Sequence, residues 1–209
     1  MRILKKYGCL ILLFVFLREI SLPFFMNFFS DNGSHDAVLL SQLGQNGMPM
    51  QIAFKRWEII DGSLFIFSAP YFFERFKNEF KFSGWLFGSL IAIYGIGDCL
   101  MTALFNYGSD YFANWHSLLH ALGSGIGSGA LLAINLCLLI LAWQKDQNLW
   151  AKLLGICLLG GILGGFLLET DWITNKTAIS VLQCLFLDIL YLPSFLIALQ
   201  DSKNLFIKN

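Results

Sequence analysis

The chain has 209 residues, 56% of them hydrophobic and 13% charged, with a mean hydropathy of +0.64. That leaves too little polar material to cover a soluble globule, so a lipid bilayer is the expected solvent and partner. Fourteen Lys and Arg balance fourteen Asp and Glu, which excludes a basic nucleic-acid surface and a charged tail, so no nucleic acid partner is expected.

Met1 to Lys6 is basic and Gly8 to Leu17 is apolar, the outline of a secretory signal. The bulky run Ser21-Leu22-Pro23-Phe24-Phe25-Met26 that follows lacks a small-x-small cleavage site, so the segment reads as an uncleaved anchor. A helix rising ~1.5 Å per residue needs about 20 apolar residues to cross a bilayer core. Six stretches have that character, approximately 7–28, 57–73, 84–105, 116–143, 150–168 and 178–199. They predict an all-α bundle of six transmembrane spans forming one domain over 1–209, because unpaired backbone groups in lipid are costly and no stretch alternates like a barrel strand.

Basic residues set the direction. With the N-terminus cytoplasmic, Arg2, Lys5, Lys6, Arg75, Lys77, Lys81, Lys145, Lys152, Lys203 and Lys208 lie inside, and only Lys55, Arg56 and Lys176 lie outside. This asymmetry predicts a multi-pass cell-membrane protein with both termini cytoplasmic.

Phe29 to Arg56 is polar, carries Gly33, Gly44, Gly47 and Pro49, and is long enough to fold back as a cap. Asn32-Gly33-Ser34 and Asn175-Lys176-Thr177 match the glycosylation acceptor pattern. Gly123, Gly125, Gly127 and Gly129 in the fourth span, with Gly155, Gly160, Gly161, Gly164 and Gly165 in the fifth, predict close packing of these two neighbours. Trp57, Trp85, Trp115, Trp143, Trp150 and Trp172 sit near span ends, as an interfacial belt requires. Cys9, Cys99, Cys137, Cys157 and Cys184 all fall in apolar stretches without a CxxC pair, which argues against a disulfide framework or a zinc knuckle.

Ionisable side chains within spans are expensive and mark function or internal pairing. Arg18 and Asp188 fall at similar depth in the first and sixth spans, so they are expected to form a midplane ion pair. Glu19 stands about 100° round from Arg18 and faces another way. Towards the outer side, His116, His120, Ser124 and Ser128 share one helix face, and Tyr94, Asp98, Thr102 and Asn106 form a second stripe. Glu58 and Asp61 form a third. Glu58, Asp61, Asp98, His116, His120 and Ser124 are therefore the expected lining of an externally open polar cavity, with Glu169, Asp171, His35 and Asp36 near its outer end. At least one histidine ring is expected within hydrogen-bonding distance of a carboxylate of the second or third span, directly or through one water.

Ser41-Gln42-Leu43-Gly44 with Met48-Pro49 in the long loop, Ile60-Asp61-Gly62, Gly95-Ile96-Gly97-Asp98 and His116-Ser117-Leu118-Leu119-His120-Ala121 occur in that order along most of the chain. In this order and spacing the chain resembles a bacterial and archaeal multi-span membrane family known only as a domain of unknown function, DUF998. The resemblance implies the six-span fold and no particular activity.

Three functions are compatible with these residues. The first is a non-catalytic or transport-like protein whose cavity binds a small polar or lipid-headgroup ligand. The second is an accessory protein acting by helix contacts, in which Gly160 and Gly164 matter most. The third is an intramembrane metal-dependent lipid hydrolase, with His116, His120 and Asp98 holding zinc and Asp61 or Glu58 activating water. No catalytic constellation is complete in the sequence, so the chain is read as a binding protein without a cofactor, with zinc as the alternative. Haem is not expected, because the remaining histidine, His35, is in a loop.

Overall fold

The computed structural model describes residues 2–26, 28, 39–106, 108, 112, 114–168, 170 and 172–207. His35, Asp36, the Asn32 to Ser34 triplet, Glu169, Asp171, Lys208 and the Arg2 side chain lie outside the described residues. Among the described residues there is no strand. The described residues form six long helices: α1 (Arg2–Phe25), α2 (Gln51–Phe76), α3 (Ser83–Leu104), α4 (Trp115–Gln144), α5 (Asn148–Leu168) and α6 (Lys176–Ile207). A short 3-10 turn, Leu40–Gly44, precedes α2.

Each of the six segments expected to be helical is a helix. Five of them, α1, α3, α4, α5 and α6, are long and apolar enough to cross a membrane. At 26 residues α2 is also long enough, about 39 Å. Its composition differs, because Lys55, Arg56, Glu58, Asp61, Glu74 and Arg75 interrupt its apolar residues. Ile93, Ile126, Ile156, Leu163 and Leu185 are exposed on the surface of the bundle, where lipid is the solvent that suits them.

The helices close into a ring. Each packs on its neighbours in the chain, and α1 returns to pack on α6. One apolar core draws on all six, with Leu12 and Phe16, Phe65 and Phe72, Phe87 and Ile91, Leu131 and Ile134, Leu154, and Leu190 and Tyr191 all essentially buried. Ion pairs gather one end: Lys5 Nζ to Glu74 Oε2 at 3.0 Å, Arg75 Nε to Asp201 Oδ2 at 2.9 Å and Lys145 Nζ to Glu79 Oε2 at 2.5 Å. We call this the terminal end, since α1 begins and α6 finishes there.

At the opposite, cap end, Leu43 of the 3-10 turn is fully buried with Leu22, Met26, Phe28 and Phe54. The Leu40 amide donates to Gln183 Oε1 of α6 at 2.8 Å. The turn is thus fastened across the ring from α2 to α6.

The glycines distribute differently from the expected α4–α5 seam. A Cβ on Gly97 of α3 would lie 2.6 Å from the Gly123 carbonyl, and one on Gly123 would lie 2.8 Å from the Gly97 carbonyl. Those α4 glycines admit α3. The α5 glycines admit α6 instead: a Cβ on Gly164 would stand 2.9 Å from Phe186 Cβ. Gly125 and Gly129 touch nothing within 4 Å of such a Cβ.

Candidate functional site

Arg18 and Glu19 are adjacent on α1, so their side chains leave it about 100° apart. Arg18 faces α2. Its Nε donates to Asp61 Oδ1, and its guanidinium carbon lies 4.0 Å from the centre of the Trp57 ring, one turn away on the same helix. Asp61 is fully buried, and taking a charge out of water is tolerable only with such a partner. Trp57 therefore serves the ion pair as well as its position near a helix end. Glu19 faces α6, where Tyr191 donates to its Oε2 at 3.3 Å.

The expected Arg18–Asp188 pair does not form. Arg18 is committed to α2, and the α1 residue that meets α6 is Glu19, an acid. Asp188 is half-buried on α6.

Asp98 sits where α3 loosens. Residues Gly95–Met101 adopt a π-helical turn, a distortion often found at functional positions. Asp98 Oδ1 accepts from Ser124 Oγ at 3.0 Å and Ser128 Oγ at 3.4 Å, while Oδ2 accepts from Tyr94 OH at 3.3 Å. The Tyr94 and Tyr191 hydroxyls also meet one another; each phenol has a single proton, so all three contacts are hydrogen bonds together only when one of the two end acids carries a proton and donates it. A continuous chain Asp98–Tyr94–Tyr191–Glu19 therefore joins α3, α6 and α1 through buried hydroxyls. Phe16 and Phe65 pack against Tyr191, with ring centres 5.1 and 6.5 Å away.

Glu19 and Asp98, the two ends of that chain, border a cavity of about 480 Å³. Glu19 and Glu58 line it from α1 and α2, Asp98 and Thr102 from α3, and His120, Ser124 and Ser128 from α4. Apolar groups complete the lining: Leu22 and Phe54 from α1 and α2, Leu132 from α4, Leu168 from α5, and Phe186 and Leu187 from α6, beside Gly125, Gly129 and Gly165. Leu39, Leu40, Ser41 and Gln183 border it at the cap end.

The sequence-derived stripes divide on folding. Glu58 lines the cavity, whereas Asp61, three residues on, turns to Arg18. Asn106 lies beyond the end of α3 and accepts from Lys55 Nζ at 2.5 Å. Among the described residues, neither histidine is in direct hydrogen-bond contact with Glu58, Asp61 or Asp98. His120 Nδ1 meets the Phe105 carbonyl at 2.9 Å. His116 stacks on Trp115, ring centres 3.8 Å apart, and leans on Phe105. The Asp98 carboxylate they were expected to reach is already held by three hydroxyls. His116, His120 and Asp98 therefore do not assemble as a ligand set. Among the described residues, the metal-binding types that do converge are Glu19, Glu58 and Cys99.

Sequence reasoning did not assign Glu19, Trp57, Cys99, Gln183 or Tyr191 to this site. Only Glu19 carried a signal, as an acid inside an apolar helix. An indole near a helix end, a thiol in an apolar run and a lone phenol all look like ordinary membrane residues.

No curated protein and no solved structure gives a significant match to the chain. The family described as "Protein of unknown function (DUF998)" matches residues 21–199, which takes in every lining residue named above except Glu19. The order of short motifs along the chain and this match over most of its length agree: the protein belongs to the DUF998 family.

Proposed function

We propose that this is a six-span plasma-membrane protein, with α2 as the sixth span and both termini cytoplasmic, whose cavity binds an amphiphile with a cationic head. The orientation rests on the excess of Lys and Arg at the terminal end. It turns the cap end and the cavity outward.

The observation that supports the ligand assignment is the mixed lining, in which the acids Glu19, Glu58 and Asp98 share one cavity with Leu132, Phe186 and Leu187. Arg18, adjacent to Glu19 on α1, directs its Nε to Asp61 rather than to these acids. A low-dielectric pocket with surplus carboxylates is stabilised by a positive partner, and an anionic head is repelled. The volume lies within the ~300–1,000 Å³ usual for small-ligand sites. A protonated amine donating to Asp98 and Glu58, with its chain against Phe186, uses both the acids and the apolar side chains of the lining. Such a site serves uptake or sensing of the amphiphile.

Gly129→Leu tests the location. The new side chain would enter open space, so the protein should fold while the cavity is blocked. Dodecylamine below its micellar concentration should raise the melting temperature of the purified wild type and leave that of Gly129→Leu unmoved. Equal shifts in both proteins would place the amine elsewhere and end the assignment.

A further inference from the structure

We propose that Glu19, Glu58 and Cys99 bind a divalent transition-metal ion, zinc being the ion that the donor set suits. The proposal uses the same cavity but does not depend on the amphiphile. Each of the three residues comes from a different helix, and their ligand atoms all lie within 4.8 Å of one another. Glu58 is 7% exposed and Cys99 1% exposed. Glu19 and Glu58 line the cavity, so an ion can reach them through it.

An independent observation points to a cation here. Glu58 is more than nine-tenths buried and borders the cavity, and its carboxyl has no ion pair and no N–H or O–H donor among the described residues. A carboxylate held out of water without such a donor is stabilised by a cation. Arg18 bonds to Asp61 instead.

The chemistry of the donors selects the ion. A thiolate with two carboxylates suits a borderline ion better than magnesium or calcium, which take oxygen alone. On a tetrahedral zinc with bonds of about 2.0 Å to oxygen and 2.3 Å to sulfur, these ligand atoms would stand roughly 3.3–3.5 Å apart. The present spread of up to 4.8 Å would have to close on binding, for which the two glutamates have rotatable side chains. On binding, the S–H bond breaks, the sulfur lone pair forms the metal bond, and the proton leaves to water in the cavity. Two carboxylates and one thiolate around a divalent ion carry a net single negative charge, beside the neutral Arg18–Asp61 pair. Three protein ligands leave one position open towards the cavity, as in exchangeable sites.

The test is metal titration of the full-length purified protein after chelator treatment, with thermal unfolding confirming that each variant is folded. Wild type should take up one Zn²⁺ per chain. With Co²⁺ it should develop the charge-transfer absorption of a cobalt–thiolate bond. Cys99→Ser should abolish that band, and Glu58→Gln or Glu19→Gln should weaken uptake at least 10-fold. Cys157→Ser, a buried thiol on α5 outside the cluster, should change neither. If Cys99→Ser fails to fold, the two glutamine variants decide the question by themselves. The proposal is overturned if folded wild type takes up no stoichiometric ion, or if the Glu19 and Glu58 variants bind it as tightly as wild type. Dodecylamine binding that persists without metal uptake would overturn the metal site alone. Metal uptake without amine binding would overturn the amphiphile reading alone.

Discussion

Arg18 and Asp61 meet across the contact between α1 and α2, with the Trp57 ring against the guanidinium and the carboxylate fully buried. Removing one partner of such a pair leaves an uncompensated charge and costs about 3–5 kcal/mol. Arg18→Ala should therefore lower stability in detergent by that order. Arg18→Leu combined with Asp61→Leu should recover most of it, because two apolar side chains of similar volume need no partner. Arg18→Leu combined with Asp188→Leu should not. A double-mutant cycle read by thermal unfolding checks this: additive losses at positions 18 and 61 would show that the two residues do not act together.

The α3–α4 contact should tolerate nothing larger than hydrogen. A Cβ on Gly97 would stand 2.6 Å from a backbone carbonyl of α4, and overpacking of that kind costs roughly 1–3 kcal/mol. Gly97→Ala is expected to lose that much, while Gly125→Ala, facing open space, should stay within about 0.5 kcal/mol of wild type. Equal effects at the two positions would mean that α3 and α4 are not in close contact.

At the terminal end, beyond the spans, Lys77 and then Lys5 hold the Glu74 carboxyl below its usual value of 4.5. A depressed folded value means that this contribution to stability is present above the usual carboxylate range. It is lost as pH falls through the folded value. Lys77→Ala should raise the Glu74 value and reduce the pH dependence of unfolding below pH 4.5. An unchanged acid limb in that variant would remove Glu74 from the account.

Topology is open to labelling. In a cysteine-free background, a cysteine placed at Asn175 should react with an impermeant maleimide added to intact cells, and one at Asn78 should not. The opposite pattern would invert the protein in its membrane.

Helix positions were legible because apolar runs of span length in lipid have one outcome. So was the shared face of His120, Ser124 and Ser128, since side chains four apart stack on any α-helix. The direction each face takes was not legible. Arg18 and Asp188 have matched depth in the sequence, but depth carries no information on rotation, and α1 presents residue 18 to α2 and residue 19 to α6. The π turn at Gly95–Met101 likewise has no periodic signature, and it sets where Asp98 points. Tyr191 lies in an apolar run, so its hydroxyl contacts with Tyr94 and Glu19 emerge only when three helices meet. The glycines of α4 announced close packing, but the partner expected for them was α5, and the helix that Gly123 and Gly127 admit is α3.

The central claim, a cavity that selects a cationic head on an apolar chain, is tested most directly by comparing dodecylamine with dodecanol on the purified protein by native mass spectrometry. The two probes share a chain and differ in charge. A charge-assisted contact contributes about 1.5–3 kcal/mol, so the account predicts that wild type binds the amine at least 10-fold more tightly. It also predicts that Glu58→Gln combined with Asp98→Asn removes the preference while leaving the alcohol's affinity unchanged. Equal affinities of wild type for the two probes, or an amine preference that survives the double substitution, would contradict it.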